Sequence, residues 1–190
     1  MINELVKKNR SYRRYYEDES VSREVLIDLV DNARLSASGG NTQPLRYFIA
    51  SDKEVVERIY PTLMWAGYLK EWPGPDQGER PPAYIVVLKD KGTNMVAGID
   101  HGIAVQSILL GAVEKGLGGC ILASIQREKL QSILNISDQY EILLVLSIGK
   151  PKEEVVMDEI EPGEDIKYWR DEQQVHHVPK RRLKDVIVNY

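Results

Sequence analysis

Apolar positions recur along the chain with two periods, one typical of amphipathic helices and one typical of strands. Helical spacing predicts helices at residues 2–6, 22–33 and 127–134, another from Asp52 to before Pro61, and a long one across 103–113 that Gly116 closes. Apolar runs predict strands at residues 47–50, 83–88, 120–123 and 142–148. Because the run 83–88 is continuously apolar, we expect a buried strand at the centre of a sheet.

The order of these elements predicts the fold class. Helices and strands are mixed but do not alternate as regular βαβ units, so we expect an α+β fold with one central mixed β-sheet wrapped by helices. A length of 190 residues fits a single domain over 1–190. After Pro151 the sequence is charged and loop-like, and only residues 186–188 near its end are strand-like.

The composition argues against several classes of protein. With 43% hydrophobic and 28% charged residues, the chain can form a core, so general disorder is excluded. A net charge of −4 argues against a nucleic-acid partner. Cys120 and three histidines are a poor basis for a disulfide or a metal centre, so no metal is expected. No apolar run approaches the roughly 20 residues of a membrane helix, and we expect a soluble, cytoplasmic protein with no membrane partner.

The glycine cluster at residues 116–119 resembles a dinucleotide-binding fingerprint only superficially. That fingerprint must follow a strand and open a helix, whereas this cluster follows a helix and precedes a strand. A helix C-cap followed by a tight turn is the better interpretation. Any nicotinamide cofactor must therefore bind without a Rossmann domain.

Three polar segments are ambiguous when each is taken alone. The run Arg10-Ser11-Tyr12-Arg13-Arg14 is either a solvated face or a phosphate cradle, because arginine and serine both supply donors. The segment Ser38-Gly39-Gly40-Asn41 is either a plain loop or a backbone that approaches a flat ligand closely. Lys180 and Arg182 are either a solubilising tail or a second set of phosphate ligands.

Taken together and in this order, the segments resemble the nitroreductase family of FMN-dependent oxidoreductases. The matching segments are Arg10-Ser11-x-Arg13-x-Tyr15, Ala33-x-x-Ser36-Ala37-Ser38-Gly39-Gly40-Asn41-x-Gln43-Pro44, Asp100-x-Gly102-x-Ala104-x-Gln106, Gly116-Leu117-Gly118 and Lys180-x-Arg182-Leu183. The resemblance spans nearly the whole chain. Asn9, Ala37 and Leu45 stand where many members have arginine, proline and tryptophan, which bears on substrate preference.

The resemblance implies an FMN site at the interface of a homodimer. Arg10 and Ser11 would hold the phosphate, together with Lys180 and Arg182, and Arg13 would lie near the N1–O2 edge of the flavin. The cofactor-binding residues that it implies are Arg10, Ser11, Arg13, Ala37, Ser38, Gly39, Asn41, Gln43, Leu122, Ala123, Ser124, Lys180 and Arg182. Ser38, Gly39 and Asn41 would come from the partner chain, and the turn Leu122-Ala123-Ser124 would offer backbone N–H groups.

The implied activity is hydride transfer from NAD(P)H to a small electrophile, such as a nitroaromatic or a quinone, by a ping-pong mechanism. No side chain is expected to be catalytic, because the flavin carries the chemistry. Cys120 is then a buried strand residue. The long loop 61–82 is expected to be functional, and its stretch from Trp65 to Trp72 is expected to be mobile and to lie over the flavin. The alternatives are a flavin-modifying or dehalogenating relative, or a non-catalytic flavin-binding protein.

Overall fold

A computed structural model describes residues 1–93 and 99–189 of the chain. The helices are α1 (Ile2–Lys8), α2 (Arg23–Arg34), α3 (Lys53–Ile59), α4 (Asp100–Glu114), α5 (Arg127–Leu134) and α6 (Leu183–Val186). The strands are β1 (Leu45–Ala50), β2 (Ala83–Asp90), β3 (Gly118–Leu122), β4 (Tyr140–Gly149), β5 (Val155–Ile160), β6 (Trp169–Arg170) and β7 (His176–Arg181). Within these ranges the mixture of helices and strands confirms the α+β class.

The helix ends are set by local side-chain and backbone chemistry, as the sequence predicts. The Ser22 hydroxyl accepts a hydrogen bond from the Val25 N–H at 3.3 Å and caps α2. The Asp52 carboxylate accepts from the N–H groups of Glu54 and Val55 and caps α3. Gly116 follows α4 with a φ of +73°, a conformation that glycine adopts without a Cβ clash. The C-cap interpretation of the glycine cluster is therefore confirmed.

The larger sheet has four strands in the order β1-β2-β4-β3, and each neighbouring pair is antiparallel. Strand β2 lies in its interior, and its first six residues are all buried. Alternate residues of β2 face two apolar layers, because side chains in a strand alternate between its faces. One layer contains α2 and α4, and the other contains α3 and α5. Helices therefore cover both faces of this sheet.

The smaller sheet has three strands in the order β5-β7-β6, with β5 and β7 parallel. The interpretation of the chain after Pro151 as loop-like was wrong, because this sheet lies there. The strand-like assignment of residues 186–188 was also wrong, since Val186 ends α6 and a turn follows. A mixed sheet requires both parallel and antiparallel pairs of strands. The parallel pair is β5 and β7 of this smaller sheet, whereas the neighbouring strands of the four-stranded sheet are antiparallel.

The loop at 61–82 is anchored by its two tryptophans. The Trp65 side chain is buried in the core layer of α3 and α5. The Trp72 ring packs against the Arg170 guanidinium at 4.2 Å. Both rings therefore have packing roles, and the mobility of this loop stays a prediction. Within the described ranges, every helix is too short or too polar to cross a membrane.

Candidate flavin site

The basic segment that follows α1 is held against the edge strand β3. The Tyr12 N–H donates to the Gly119 carbonyl at 3.1 Å, and Ser11 forms an isolated bridge to the same residue. The buried Tyr15 hydroxyl lies 2.8 Å from the Ser147 hydroxyl of β4. A Cβ on Gly118 would clash with the Tyr12 ring. The glycines of β3 thus let the backbone of the segment pack directly against the sheet. This contact determines the positions of Arg10 and Arg13.

A cavity of about 260 Å³ opens beside this segment, and we call it the basic cavity. Its lining residues come from the segment, from α4, from β3, from the loop before β6 and from β7: Asn9, Arg10, Ser11, Arg13, Gln106, Leu109, Ile121, Tyr168, His176, Val178 and Lys180. Predicted phosphate ligands from both ends of the chain, Arg10, Ser11 and Lys180, therefore meet in one place. The alternation of side chains along β7 explains why His176, Val178 and Lys180 share this face.

The cations of the cavity differ from the neighbouring cations in their partners. Arg14 pairs with Glu79, at 2.5 Å, and Arg170 pairs with Glu153, at 2.9 Å. By contrast, in the part of the chain that the structure describes, no carboxylate oxygen lies within 4.0 Å of a charged side-chain nitrogen of Arg10, Arg13 or Lys180. Three positive charges thus converge on the basic cavity without a carboxylate ion-pair partner from residues 1–93 or 99–189.

Buried nitrogens in the same place supply further donors. Among the described residues, no partner reaches Nε of Arg10, Nε of Arg13 or Nδ1 of His176. The other nitrogens of Arg10 contact weak or backbone acceptors, the Met157 sulfur at 3.2 Å and the Val6 carbonyl at 2.9 Å. Buried polar groups normally find partners, so this donor set favours an anionic, acceptor-rich ligand. The residues present fit the phosphate and the ring acceptors of FMN.

Arg13 is fixed by a buried polar network that the sequence does not reveal. Its guanidinium Nη1 lies 3.1 Å from Nε2 of His176, and its Cζ lies 4.8 Å from the centre of the Tyr168 ring. Its backbone N–H donates to the Glu153 carboxylate, which also accepts from Arg170 Nη2 at 2.9 Å. Glu153 thus joins the basic segment to the three-stranded sheet.

Arg182 and the turn Leu122-Ala123-Ser124, which were predicted to bind the cofactor, lie outside the lining of the basic cavity. Arg182 follows β7, and its guanidinium pairs with Asp185 at 2.8 Å and with Glu161. The geometry thus separates Lys180, which faces the cavity, from Arg182, which does not. Leu122, the last residue of β3, is buried, and Ala123 and Ser124 after it are exposed. Of this stretch of the chain, Ile121 lines the cavity. Buried Cys120 lies in β3 as predicted, and burial raises the pKa of its thiol.

The glycine–asparagine segment forms a separate region, residues 36–44, which we call the Ser38 loop. The Ser38 hydroxyl donates to the Asp100 carboxylate at 2.5 Å, and the Gly39 N–H donates to it at 3.1 Å. Asp100 is buried in the first turn of α4, where its negative charge also suits the helix dipole. Asn41 and Gln43 have φ values of +54° and +47°, which are strained for residues other than glycine.

A second cavity, of about 160 Å³, lies beside the Ser38 loop and is lined by Ala37, Ser38, Gln43, Tyr47 and Asp100, among others. Burial, and then the negative charge of Asp100, raise the pKa of Tyr47 to about 12. None of the residues around this cavity lines the basic cavity. Helix α4 contributes Asp100 to one and Gln106 to the other. Within the described chain, the two predicted halves of the site are therefore separate.

Several residues of the basic cavity were not predicted as site residues. His176 and Val178 belong to β7, and Tyr168 directly precedes β6, in a sheet that the sequence did not reveal, so the alternation of side chains along β7 could not be used. Gln106 stands in a segment that resembles the family, and that position was the available signal; its amide oxygen accepts from Asn9 at 3.4 Å. In the described ranges, no group of three His, Cys, Asp or Glu side chains is arranged to hold a metal ion.

The chain is similar to known proteins over most of its length. It is 27% identical over 149 residues to a protein of Archaeoglobus fulgidus provisionally named NADH dehydrogenase/NAD(P)H nitroreductase, covering 74% of this chain and 80% of that protein. It is 27% identical over 168 residues to the iodotyrosine deiodinase of Thermotoga neapolitana, covering 80% and 89%. An FMN-dependent nitroreductase structure from Clostridium difficile matches with a TM-score of 0.65 and 26% identity, covering 81% of this chain and 89% of that one.

The family follows from a longer match. The sequence model of the Nitroreductase family matches residues 6–150, which include the basic segment, the Ser38 loop and the whole four-stranded sheet. This range is well over half of the chain, and it confirms the resemblance that the motifs indicated. The chain belongs to the nitroreductase family and is an oxidoreductase.

Proposed function

We propose that this protein binds one FMN per chain and passes hydride from NAD(P)H to a small electrophile, such as a nitroaromatic or a quinone. The observation that carries this proposal is the convergence of Arg10, Arg13 and Lys180 on one cavity, with no carboxylate partner among the described residues. When bound, FMN supplies the hydride acceptor and donor, so that no side chain has to react.

Each part of the basic cavity then has a defined task. Arg10, Ser11 and Lys180 bind the phosphate, because two cations and a hydroxyl offer charged and neutral donors to a dianion. Arg13 lies beside the ring and keeps a fixed positive charge there, which stabilises the negative charge that hydride delivery brings. The Tyr168 ring packs under the Arg13 guanidinium and restricts its direction.

The site is completed by a second copy of the chain. The Ser38 loop carries exposed Asn41 and Gln43, and its backbone is held in a strained shape by Asp100. Such a loop suits contact with a flat ligand, and it lies away from the basic cavity of its own chain. We propose that it reaches the cavity of the partner in a homodimer. Sedimentation equilibrium tests this: a monomer that holds FMN tightly would contradict a shared site.

The first experiment compares the flavin affinity of one lysine variant with that of one arginine variant. Lys180→Ala removes a cation from the cavity and should weaken the binding of FMN about tenfold or more. The binding of riboflavin, which lacks the phosphate, should change little. Arg182→Ala is the matched control, because Arg182 is already paired with carboxylates. Dissociation constants from flavin fluorescence give the comparison. A colourless protein that takes up no added FMN would contradict the whole proposal.

The kinetic part of the proposal is a ping-pong mechanism. One flavin face serves both substrates, so NAD(P)⁺ must leave before the electrophile enters. Double-reciprocal plots of rate at several fixed NADPH concentrations should therefore be parallel. Intersecting lines, which a ternary complex produces, would contradict this part without affecting FMN binding.

A second candidate function is reductive removal of halide from an aromatic substrate. The similarity to an iodotyrosine deiodinase over 80% of the chain supports it. Tyr168 lines the basic cavity and supplies an aromatic surface there, and the centre of its ring lies 4.9 Å from that of Tyr68. Parallel assays of nitroaromatic reduction and of halide release from a halogenated phenol, with the same reductant, distinguish the two functions.

A further inference from the structure

His176 is held in one protonation state by its neighbour. Its Nε2 lies 3.1 Å from Nη1 of Arg13, and a guanidinium can only donate hydrogen bonds. Nε2 must therefore accept, which requires a neutral ring with its hydrogen on Nδ1. The side chain is 1% exposed, so water in bulk does not alter this arrangement.

The hydrogen on Nδ1 has nothing to bind within the described chain. Nδ1 is buried and has no hydrogen-bond acceptor from residues 1–93 or 99–189. His176 nevertheless lines the basic cavity, and a buried donor without an acceptor is costly. A ligand acceptor in the cavity would remove that cost.

Strand β7 arranges three different side chains along the cavity. His176 comes first, Val178 follows on the same face, and Lys180 comes last. His176 and Lys180 are four residue steps apart along the strand, a distance of about 13 Å. The strand thus offers a neutral donor, an apolar surface and a cation in that order, which suits a long ligand with an acceptor edge at one end and an anion at the other.

We propose that His176 is a flavin-binding residue that donates a hydrogen bond from Nδ1 to the N1–O2 edge of the ring, beside Arg13. This inference rests on the proposed function and adds a residue from outside the motifs of the family. The ring end is favoured over the phosphate end because His176 contacts Arg13 and Tyr168, whose ring centre is 5.2 Å from the imidazole. Lys180 occupies the opposite end.

The charges around His176 keep it neutral near physiological pH. Burial, followed by the positive charges of Arg13 and Arg170, lowers the pKa of His176 to about 4. The other ionisable groups near it are Glu153, which pairs with Arg170, the Tyr168 phenol and His177 on the opposite face of β7. The donor on Nδ1 is therefore present throughout the pH range in which the enzyme would be assayed.

Three variants test the inference by flavin affinity. His176→Phe removes the donor and should weaken the binding of FMN and of riboflavin alike, by about tenfold, because both molecules contain the same flavin ring. His176→Asn places an amide N–H close to the position of Nδ1 and should stay within about threefold of the natural protein. His177→Asn is the matched control on the other face of β7, and neither dissociation constant should change by more than about twofold.

The natural protein gives an independent readout that needs no variant. Nitrogen-15 NMR of the histidine rings at pH 7 should show His176 as the Nδ1–H tautomer, and FMN should shift its Nδ1 signal. An Nε2–H tautomer or a charged ring would overturn the inference, and so would unchanged ring affinity in a folded His176→Phe protein. A loss of FMN affinity alone, with riboflavin unaffected, would place His176 at the phosphate and also overturn it. Failure of the natural protein to bind any flavin would instead refute the proposed function.

Discussion

The two sheets of this protein are stabilised in different ways. In the four-stranded sheet, β2 and β4 are mostly buried and apolar, and helices cover both faces. In the three-stranded sheet, half-buried and exposed residues predominate; His177 of β7 contacts Asp158 of β5, and Arg170 of β6 pairs with Glu153. The first sheet provides the stable framework, whereas the second brings Tyr168, His176 and Lys180 to the basic cavity. The apolar core is thus concentrated in one region, whereas both regions line the basic cavity.

The largest expected effect comes from Glu153, which joins the two regions. Its side chain is fully buried and accepts hydrogen bonds from the Arg13 and Arg14 backbone and from Arg170. Glu153→Leu leaves Arg170 buried without its partner, so the free energy of unfolding should fall by about 3–5 kcal/mol. Urea denaturation measures this. The exposed neighbour is the control, and Glu154→Gln should change the free energy by less than about 0.5 kcal/mol. Equal effects would show that the ionic contact is unimportant.

The next effect contrasts the two sheets directly. Leu146 is fully buried in β4, and Leu146→Ala should lower the free energy of unfolding by about 2–5 kcal/mol through lost burial and a cavity. Met157 in β5 is 45% exposed, and Met157→Ala should cost less than about 1 kcal/mol. Thermal or urea unfolding gives both values. A larger loss for Met157 would contradict the division between framework and binding region.

A smaller effect is expected on the framework side of the site, at Asp100. Asp100→Asn removes the charge that supports the Ser38 loop and the start of α4, so the free energy of unfolding should fall by about 1.5–3 kcal/mol. Asp28→Asn is the control, since Asp28 makes an exposed pair with Lys115 and should contribute less than about 1 kcal/mol. If both variants behave alike in urea denaturation, Asp100 does not support the loop.

Two adjacent histidines of β7 should give opposite pH dependences of stability. Because the pKa of His176 falls from 6.5 to about 4 on folding, the unfolded chain binds a proton in this window that the folded chain does not. Stability from this group therefore decreases as the pH falls from about 6.5 to 4, and His176→Asn should remove that slope. Unfolding free energies measured at several pH values between 4 and 8 test it; an unchanged slope would contradict a buried neutral ring.

His177 should show the reverse dependence. Partial burial opposes its charge, but hydrogen bonds to Asp158 and Asp171 together outweigh this and raise the pKa of His177. Its stabilisation is complete below pH 6.5 and is lost as the pH rises through the raised pKa. His177→Asn should therefore flatten the upper part of the same pH series. A flat upper limb in the natural protein would show that the two aspartates do not bind a charged ring.

The elements that were predicted correctly are those whose signal is local. Strand β2 and helix α5 match their predicted positions closely, because burial of both faces of β2 produces a continuous apolar run and burial of one face of α5 produces a helical period. The caps Ser22 and Asp52 were readable for the same reason, since a cap bonds to a backbone N–H only two or three residues away. The three-stranded sheet has no such signal. Its strands are short and polar, and β5 pairs with β7, about 20 residues further along the chain.

The sequence by itself determined the family and the three cations of the basic cavity with Ser11, because Arg10, Ser11, Arg13 and Lys180 stand in motifs whose order can be read from one chain. The single domain, the homodimer and the cytoplasmic location stay predictions. Only the tertiary structure decided that Lys180 faces the cavity while Arg182 pairs with carboxylates, and that His176 joins the site. These facts depend on which face of β7 a side chain occupies and on charges that are distant in sequence. Periodicity and motifs carry no information on such contacts, because they form only when distant segments pack together.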